Sequence, residues 1–202
     1  MKLRYSPASP FVRKVTVTAI ETGLDGKIER IPTNVWDPAS DIGGNNPVGK
    51  VPALTTEGGE VLYDSTVICM YLDSLHDGVK LLPASGGERW RALCLNALGD
   101  GISENGIRRL LEYRFWGDNI RQGWIDRSVD IMKRCYLSLE NDIEQLSGPV
   151  TIGQISIACA IAWEDFRYPD FGWRDDCPAL ADWFAGFSAR PSMIATEPVD
   201  PK

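Results

Sequence analysis

The period of the apolar residues changes once along the 202-residue chain, and this change constrains the fold more than any other feature. Over residues 1–76, short alternating stretches typical of strands are interspersed with stripes of helical period. Residues 77–87 contain Gly, Pro, Ala and Ser in a pattern that favours a linker. Residues 88–202 show only helical periodicity. The sequence therefore predicts an α/β domain, a linker and an all-helical domain.

The elements of the first domain are predicted in the order strand, helix, strand, loop, strand, strand, helix. Their bounds are residues 1–5, 11–20, 27–32, 33–50, 51–55, 60–63 and 64–75. Four helices are predicted in the second domain, at residues 88–116, 120–146, 152–166 and 178–189. Residues 151–154 have the form of a capping box, and the helix that follows is apolar almost all round. We expect that helix to be the buried centre of the second domain.

The charge balance and the cysteine usage limit the partners. With 28 acidic and 21 basic side chains the net charge is -7, so the mean field repels nucleic acid and anionic membrane surfaces. No stretch approaches the ~18 apolar residues of a membrane helix, and no signal peptide is recognisable, so we expect a soluble cytoplasmic protein. The cysteines form no C-x-x-C pair and His76 is the single histidine, so neither a metal site nor a disulfide framework is expected.

Ser9 lies where a turn becomes a helix, directly before Pro10 at the first helical position. A serine there is an N-cap, which is a common structural role. The same hydroxyl faces the positive end of the helix dipole, where a bound thiolate would be favoured. About 0.3–1 kcal/mol from the dipole and about 1.5–3 kcal/mol from a hydrogen bond would bring a thiol pKa of ~8.5 to around neutrality. Ser6 carries the other hydroxyl of this turn that could contact the thiolate.

Two other enzymatic interpretations are disfavoured. A serine hydrolase needs a base, and the only histidine lies after the first domain. Residues 44–50 match the G-x-x-x-x-G-K part of a phosphate loop, but Val51 offers no hydroxyl for magnesium. A strand rather than a helix also follows this segment, so it is not expected to bind a nucleotide.

Two further positions are suited to a peptide-like ligand. Pro52, at the start of a strand, follows either the commoner trans bond or a cis bond that would turn the Val51 backbone outward to pair with a ligand. Asp64 and Ser65 open the next helix, so their amides and the Ser65 hydroxyl can hold a carboxylate, while the Asp64 side chain can hold an ammonium. Helix capping explains Asp64 and Ser65 equally well.

The segments SPASPFVRKV, NPVGKVPAL and DST, in this order before a helical half, resemble the soluble glutathione S-transferase family across nearly the whole chain. The resemblance implies a thioredoxin-like N-terminal domain, an all-α C-terminal bundle and a bacterial-type member with Ser9 at the catalytic position. It implies glutathione as co-substrate, no metal or organic cofactor, and a homodimer. The glutathione-binding residues that it implies are Phe11, Lys50, Val51, Pro52, Asp64 and Ser65.

Three departures refine this resemblance. Ser9 replaces the cysteine that would give thiol-disulfide, deglutathionylation or dehydroascorbate reductase chemistry, so those activities are disfavoured. Gln154 stands where the family commonly has Asp, which preserves the capping box and is similar to a bacterial subgroup with T-I-G-Q-I. Tyr5, the counterpart of the activating tyrosine of some classes, falls within the predicted strand and is given little weight.

The electrophile pocket implied by the family lies between the domains. Its expected walls are Phe11, the loop at residues 34–36 with Trp36, and three residues of the helix at 88–116, namely Arg108, Glu112 and Tyr113. Burial statistics favour core and bundle packing, rather than a ligand site, for Trp116, Trp124, Trp163 and Trp173.

The predicted function is transfer of glutathione to a small electrophile, with Ser9 stabilising the thiolate. A glutathione-dependent cis-trans isomerase is the alternative, because the pattern S-x-x-S-x-x-R at Ser6, Ser9 and Arg13 is similar to the maleylacetoacetate isomerase class. A third hypothesis is a noncatalytic protein that keeps the fold to bind a partner.

Overall fold

A four-stranded sheet forms the frame of the N-terminal domain in the computed structural model, which describes residues 1–201. The strands are β1 (Lys2–Tyr5), β2 (Glu29–Pro32), β3 (Ala53–Thr55) and β4 (Val61–Leu62). They lie in the order β2-β1-β3-β4. β1 is parallel to β2, whereas β3 is antiparallel to both β1 and β4. The predicted order of elements is confirmed, and with it the thioredoxin-like class of this domain.

Apolar residues at the centre of the sheet explain its arrangement. Leu3 of β1 lies opposite Leu54 of β3, and both side chains are fully buried. Helix α1 (Pro10–Glu21) connects β1 to β2, because two parallel strands need a crossover connection. The predicted turn between β3 and β4 is present, and Gly59 has a φ of 88° there, a conformation that other residues rarely adopt.

Helix α1 is buried on nearly every side. It packs against helix α2 (Ser65–Ser74) of its own domain and against α5 (Ile152–Arg167) and α8 (Pro191–Ile194) of the second domain. These contacts bury all residues from 12 to 19, including the charged Arg13 and Lys14. The helix that Ser9 caps is therefore shared by the two domains.

The C-terminal domain is all-helical. Its helices are α3 (Gly86–Trp116), α4 (Gln122–Asn141), α5, α6 (Trp173–Asp176), α7 (Pro178–Ser188) and α8. Of these, α3 and α7 pack directly against the buried helix α5. Residues 152–161 are all buried, which confirms the prediction of a central helix. The capping box is also confirmed, since Thr151 N donates to Gln154 Oε1 over 2.6 Å. Within residues 1–201, no helix combines the length and apolar character needed to cross a membrane.

Two glycines of α3 let this helix pack closely against α5. A Cβ atom on Gly99 would lie 2.5 Å from Ser156 Oγ, and one on Gly106 would lie 2.7 Å from the Trp163 ring. Both distances are shorter than van der Waals contact, so a larger residue at either position would force the two helices apart.

The prediction of one continuous helix over residues 120–146 is wrong. α4 ends at Asn141, and Asp142 has φ and ψ of -135° and 56°, which are not helical. A short 3₁₀ helix then covers Ile143–Leu146. The helices α6 and α8 are absent from the prediction because each has four residues, too few for a helical period to be recognised.

The segment after α2 is anchored by Asp73. Its carboxylate accepts hydrogen bonds from Leu81 N over 2.7 Å and from Leu82 N over 3.1 Å. Lys80 Nζ donates to the Asp73 backbone oxygen over 2.7 Å. These bonds hold the segment between the helices α2 and α3. We keep the proposal of a linker at residues 77–87 between domains at 1–76 and 88–202, although α3 already begins at Gly86.

Candidate functional site

The Ser9 hydroxyl lies at the N-terminus of α1 and caps that helix. Ser9 has extended φ and ψ of -93° and 123°, and its Oγ accepts a hydrogen bond from Val12 N over 3.3 Å. Pro10 occupies the first helical position, where its missing N–H costs no hydrogen bond. Because the Ser9 oxygen accepts from the helix, the hydroxyl hydrogen is available for donation to a ligand. The residue as a whole is half-buried.

Ser6 contributes to the same turn through its backbone. Its carbonyl oxygen accepts a hydrogen bond from Ser9 N over 3.2 Å. The capping position beside the helix dipole belongs to Ser9. That Ser9 rather than Ser6 meets a ligand sulfur stays a prediction.

A tryptophan of the second domain fixes this turn. Trp163 of α5 is buried, and its Nε1 donates to the backbone oxygen of Ala8 over 2.8 Å. A buried indole N–H needs such an acceptor. The residue directly before Ser9 is thus held by the helical domain. The sequence gives no signal for this bond, because its partners are 155 residues apart.

The loop before β3 holds Lys50, Val51 and Pro52. The Val51-Pro52 bond is cis, the less common of the two forms that the sequence leaves open. The Asn46 side chain shapes the loop, since its Nδ2 donates to Lys50 O over 2.8 Å and its Oδ1 accepts from Val48 N over 3.0 Å. The Lys50 side chain is exposed and Pro52 is buried. Asn46 is a positioning residue that our sequence analysis missed, and its place before Pro47 in the NPVGK segment is the signal that would have found it.

Asp64 caps α2 in a way that leaves one oxygen open. Its Oδ1 accepts hydrogen bonds from Thr66 N over 3.0 Å and from Val67 N over 3.4 Å. Both bonds use Oδ1, so Oδ2 of this exposed carboxylate is available to a ligand. Ser65, the first residue of the helix, is buried. Capping and ligand binding by Asp64 are therefore compatible.

A buried polar cluster ties α1 and α2 to α3. The Lys14 side chain is 1% exposed, and its Nζ forms an ion pair with Asp100 Oδ1 over 2.6 Å. The same Nζ lies 3.0 Å from Asn96 Oδ1 and 3.4 Å from Thr66 Oγ1. Thr66 directly follows Ser65, so this cluster positions the start of α2. The sequence gives no sign of it, because Lys14 is a single charge within an apolar stripe.

The Arg13 side chain contacts the C-terminal segment. Its Nη2 donates to Met193 O over 2.9 Å and its Nε donates to Thr196 Oγ1 over 3.3 Å. Burial lowers the pKa of this guanidinium. Arg13 thus ties α1 to the C-terminal segment, and the isomerase hypothesis drawn from the S-x-x-S-x-x-R pattern stays a prediction.

Trp36 is the member of the predicted electrophile pocket that connects the domains. Its ring lies 5.2 Å from that of Phe115 of α3, measured between centroids. The Arg114 guanidinium lies 5.9 Å from the centre of the Trp36 ring. Trp36 is half exposed, whereas Phe11 at the start of α1 is half-buried.

Arg108 and Glu112 line a cavity of about 370 Å³ between α3 and α4. Glu112 accepts from Arg121 Nε over 3.0 Å and from Arg121 Nη2 over 2.8 Å, and these bonds lower the pKa of the Glu112 carboxyl. Within residues 1–201, no residue of the first domain lines this cavity. The part of Arg108 and Glu112 in an electrophile pocket thus stays a prediction, and Tyr113 is half exposed outside the cavity.

The face of α3 that meets the first domain adjoins the cavity, since Phe115 lines the cavity and also packs against Trp36. Asp100 on that face contacts Lys14, and Arg114 contacts Trp36. Ile107 and Leu110 lie at helical spacing between Asp100 and Arg114, so they share this face. The sequence does not identify the face, because the apolar residues of α3 are distributed around the helix with almost no preferred side.

The four tryptophans of the second domain that were predicted to pack in the core fall into two pairs. Trp163 and Trp173 are buried, which confirms the prediction of core packing for them. Trp116 and Trp124 are 50% and 53% exposed and line the α3–α4 cavity, so the prediction is wrong for this pair. The two lie where α3 ends and α4 begins, at the tip of the helical hairpin.

Two family models match the chain. The model described as glutathione S-transferase, N-terminal domain, matches residues 8–75, and the one described as glutathione S-transferase, C-terminal domain, matches residues 122–186. The uncharacterized GST-like protein YibF of Escherichia coli (strain K12) is 32% identical over 208 residues, with 98% of each chain covered.

Solved structures are similar over the same length. A glutathione transferase family member from Pseudomonas fluorescens Pf-5, with bound glutathione, is 40% identical with a TM-score of 0.94 and 98% of each chain covered. A glutathione S-transferase from Methylobacillus flagellatus KT with GSH bound is 29% identical with a TM-score of 0.92, covering 98% of this chain and 99% of that one. These matches, together with the thioredoxin-like sheet and the helical bundle of the second domain, show that the chain belongs to the glutathione S-transferase family.

Proposed function

We propose that this protein transfers glutathione to small electrophiles and that Ser9 stabilises the glutathione thiolate. The observation that carries the proposal is the position of Ser9 Oγ, 3.3 Å from Val12 N at the N-terminus of α1. A sulfur placed beside it meets both the hydroxyl hydrogen and the positive end of the helix dipole. Both interactions favour the thiolate, which is the nucleophilic form of a thiol.

The rest of the tripeptide is held, in this proposal, by the edge of the first domain. Asp64 Oδ2 receives the γ-glutamyl ammonium, and Ser65 at the start of α2 receives the adjacent carboxylate. The Val51 backbone before Pro52 pairs with the cysteinyl backbone, and Lys50 reaches the opposite end of the ligand. Glutathione bound to the relatives from Pseudomonas fluorescens Pf-5 and Methylobacillus flagellatus KT supports this choice of ligand.

The proposed reaction is a nucleophilic addition or displacement. The thiolate sulfur attacks an electrophilic carbon and a C–S bond forms. The displaced electron pair departs with a leaving group, or it takes up a proton at the neighbouring carbon. The Pseudomonas fluorescens Pf-5 relative was also solved with S-(propanoic acid)-glutathione, at 41% identity, a TM-score of 0.88 and coverage of 98% of this chain and 100% of that one. A glutathione substituted at sulfur is the kind of product that this reaction forms.

The electrophile is expected between the thiolate and the facing side of α3. Phe11 and Trp36 are the proposed walls on the first domain. Ile107, Leu110 and Arg114 are the proposed walls on α3, on the face that contacts Trp36. Apolar walls with a single guanidinium suit a small apolar electrophile that carries one polar or anionic group.

Turnover of 1-chloro-2,4-dinitrobenzene with glutathione tests the proposal. We expect Ser9→Ala to lower kcat/KM about ten- to a hundredfold, since a hydrogen bond to a charged acceptor worth about 1.5–3 kcal/mol is lost. Ser6→Ala is the matched control, because it removes a hydroxyl from the same turn, and it should retain activity. Equal losses in both variants, or no loss in Ser9→Ala, would contradict the role of Ser9.

The same preparation separates the alternative functions. Isomerisation of a cis-dienoic diacid without net consumption of glutathione would favour the isomerase. Glutathione that binds without forming a thiolate would favour a noncatalytic protein. The transferase predicts consumption of glutathione and a thioether product.

We further propose a cytoplasmic homodimer with a role in detoxification. Val67 and Met70 of α2 are 44% and 36% exposed and lie three residues apart on one face, next to the exposed Tyr63. An exposed apolar patch of this kind favours a partner surface, here the helical half of a second copy. All five cysteines are free thiols, as is usual in a reducing compartment.

Light scattering tests the proposed dimer. The wild type should give twice the 22.4 kDa chain mass, and Val67→Glu should give the mass of one chain.

A further inference from the structure

The peptide unit directly before Ser9 is held at both of its ends. Its N–H, on Ser9, donates to Ser6 O over 3.2 Å within the same turn. Its carbonyl oxygen, on Ala8, accepts from Trp163 Nε1 over 2.8 Å. Since a peptide unit is planar, these two bonds fix its orientation and with it the position of the Ser9 Cα atom. One of the two bonds comes from the helical domain.

Trp163 is the hydrogen-bond donor on which the Ala8 carbonyl depends. Within residues 1–201, no backbone amide donates to Ala8 O. The indole is 1% exposed, so water does not compete for its N–H. Without this donor, the half-buried Ala8 carbonyl would turn toward water to find a hydrogen bond. The bond therefore constrains the turn as well as satisfying two polar groups.

The indole itself is fixed by its neighbours. Gly106 of α3 faces it so closely that a Cβ atom there would lie 2.7 Å from Trp163 Cζ3. The Tyr168 ring lies 6.4 Å from the indole, measured between centroids, at an interplanar angle of 70°. The Arg109 guanidinium in turn lies 3.8 Å from the centre of the Tyr168 ring. A side chain packed this closely has little freedom to move, so α3 and α5 together direct the N–H toward the turn.

We infer that Trp163 is a positioning residue for the glutathione thiolate, so that the helical domain takes part in activating the thiol. The inference rests on the proposed function of Ser9. A hydroxyl stabilises a thiolate only while it lies at hydrogen-bond distance and angle from the sulfur. Trp163 does not touch the ligand; it holds the peptide unit from which the Ser9 side chain projects. The contacts proposed for the tripeptide at Val51 and Asp64 do not depend on this bond.

Trp163→Phe in the full chain tests this inference, because phenylalanine keeps an aromatic ring but has no N–H. We expect the thiol pKa of bound glutathione, measured from the thiolate absorbance, to rise by about half a unit to one unit. At pH values below that pKa, kcat/KM for 1-chloro-2,4-dinitrobenzene should fall about three- to tenfold, in proportion to the thiolate fraction. The loss should shrink at high pH, and KM for glutathione should stay within about twofold. A role in folding alone would not produce this dependence on pH.

Trp183→Phe is the matched control. Trp183 Nε1 donates to Leu146 O over 3.2 Å, which is the same kind of bond within the helical domain. Both variants lose a bond from an indole to a backbone carbonyl, so urea unfolding should show that both are destabilised. Only Trp163→Phe should change the thiol pKa.

Gly106→Ala is a second variant, which keeps the indole N–H. The added Cβ presses on the Trp163 ring and shifts the donor away from Ala8 O. The thiol pKa should rise in this variant as well, whereas Gly101→Ala, with open space at its Cβ, should leave it unchanged. This pair gives the answer if Trp163→Phe does not fold.

A thiol pKa in Trp163→Phe equal to that of the wild type would overturn the inference, and so would equal rises in Trp163→Phe and Trp183→Phe. In either case, a raised thiol pKa in Ser9→Ala would leave the proposed role of Ser9 intact. If instead the wild type does not lower the thiol pKa of glutathione, the proposed function fails and this inference fails with it.

Discussion

Ser9 caps α1, and this cap is compatible with the role toward a sulfur that we propose for it. Its Oγ accepts from Val12 N and so caps α1, while its hydrogen stays available for a sulfur. The capping bond thus orients the donor. Asp64 behaves in the same way, since Oδ1 accepts from two helix amides and Oδ2 is left for a ligand. At the residue scale, local chemistry was enough to find both positions.

Gln154 uses both ends of its side-chain amide. Oε1 accepts from Thr151 N over 2.6 Å, and Nε2 donates to Leu146 O over 2.8 Å. Gln154→Glu keeps the acceptor but removes the donor and adds a charge at a buried position. We expect the free energy of unfolding in urea to fall by about 1–3 kcal/mol. Thr151→Ser, which keeps the capping hydroxyl, is the control. If Gln154→Glu is as stable as the wild type, the bond to Leu146 has no importance for stability.

At the scale of elements, the packing of α3 on α5 depends on glycine. A Cβ on Gly106 would lie 2.7 Å from the Trp163 ring. We expect Gly106→Ala to lower the free energy of unfolding by about 1–3 kcal/mol through overpacking. Gly101→Ala is the matched control on the same helix, because a Cβ there meets nothing within 4 Å. Gly101→Ala should raise the free energy of unfolding by about 0.5–1 kcal/mol, because alanine has the higher helix propensity. Similar effects of Gly106→Ala and Gly101→Ala would contradict the close contact at Gly106.

The ion pair between Lys14 and Asp100 joins α1 to α3. Lys14→Met leaves the Asp100 carboxylate without its cation in a largely buried place. We expect a loss of about 2–3 kcal/mol, less than the ~3–5 kcal/mol of a fully buried pair, because the Asp100 side chain is 22% exposed. The double variant with Asp100→Asn should be more stable than Lys14→Met alone. Lys133→Met, at an exposed position, is the control and should leave the free energy of unfolding nearly unchanged. A double variant that is no more stable than Lys14→Met would rule out a specific pair between Lys14 and Asp100.

The helical periodicity and the capping residues could be predicted from the sequence, but the side of α3 that meets the first domain could not. The start of α1 follows from Ser9 and Pro10, and the central α5 follows from its capping box and its apolar run. α3 has apolar residues on all sides, so nothing in its sequence tells which side meets the first domain. That Arg108 and Glu112 line the cavity toward α4 could therefore not be read from the sequence.

At the scale of the whole molecule, the order of elements was enough to predict the fold class. The contact between the two domains depends on hydrogen bonds and an ion pair between residues far apart in the sequence. Trp163 to Ala8, Lys14 to Asp100 and Arg13 to Met193 each connect residues far apart in the chain. No local pattern specifies such a bond, because each partner alone has an ordinary structural explanation. The site at Ser9 depends on this junction, since Trp163 holds the residue before it.

Glu164 makes the stability of the whole molecule depend on pH. It is fully buried beside Arg109, and burial raises the pKa of its carboxyl from 4.5 to about 8. Between these two pKa values, the Glu164 carboxyl is protonated in the folded protein and ionised in the unfolded chain. This contribution to stability is fully present below the unfolded pKa and is lost as pH rises through about 8.

Urea unfolding at several pH values checks this dependence. Between the two pKa values, the wild-type midpoint should fall with rising pH more steeply than that of Glu164→Gln, which cannot titrate. Glu104→Gln, on the exposed side of α3, should keep the wild-type slope. Parallel slopes in the wild type and Glu164→Gln would show that Glu164 is not protonated in the folded state.

The ultraviolet absorbance of the thiolate, recorded for bound glutathione as a function of pH, tests the central claim most directly. We predict that binding lowers the thiol pKa from ~8.5 to around neutrality, that Ser9→Ala raises it again by about one unit or more, and that Ser6→Ala leaves it lowered. A thiol pKa in the wild-type complex equal to that of free glutathione, or equal to that in the Ser9→Ala complex, would contradict the account.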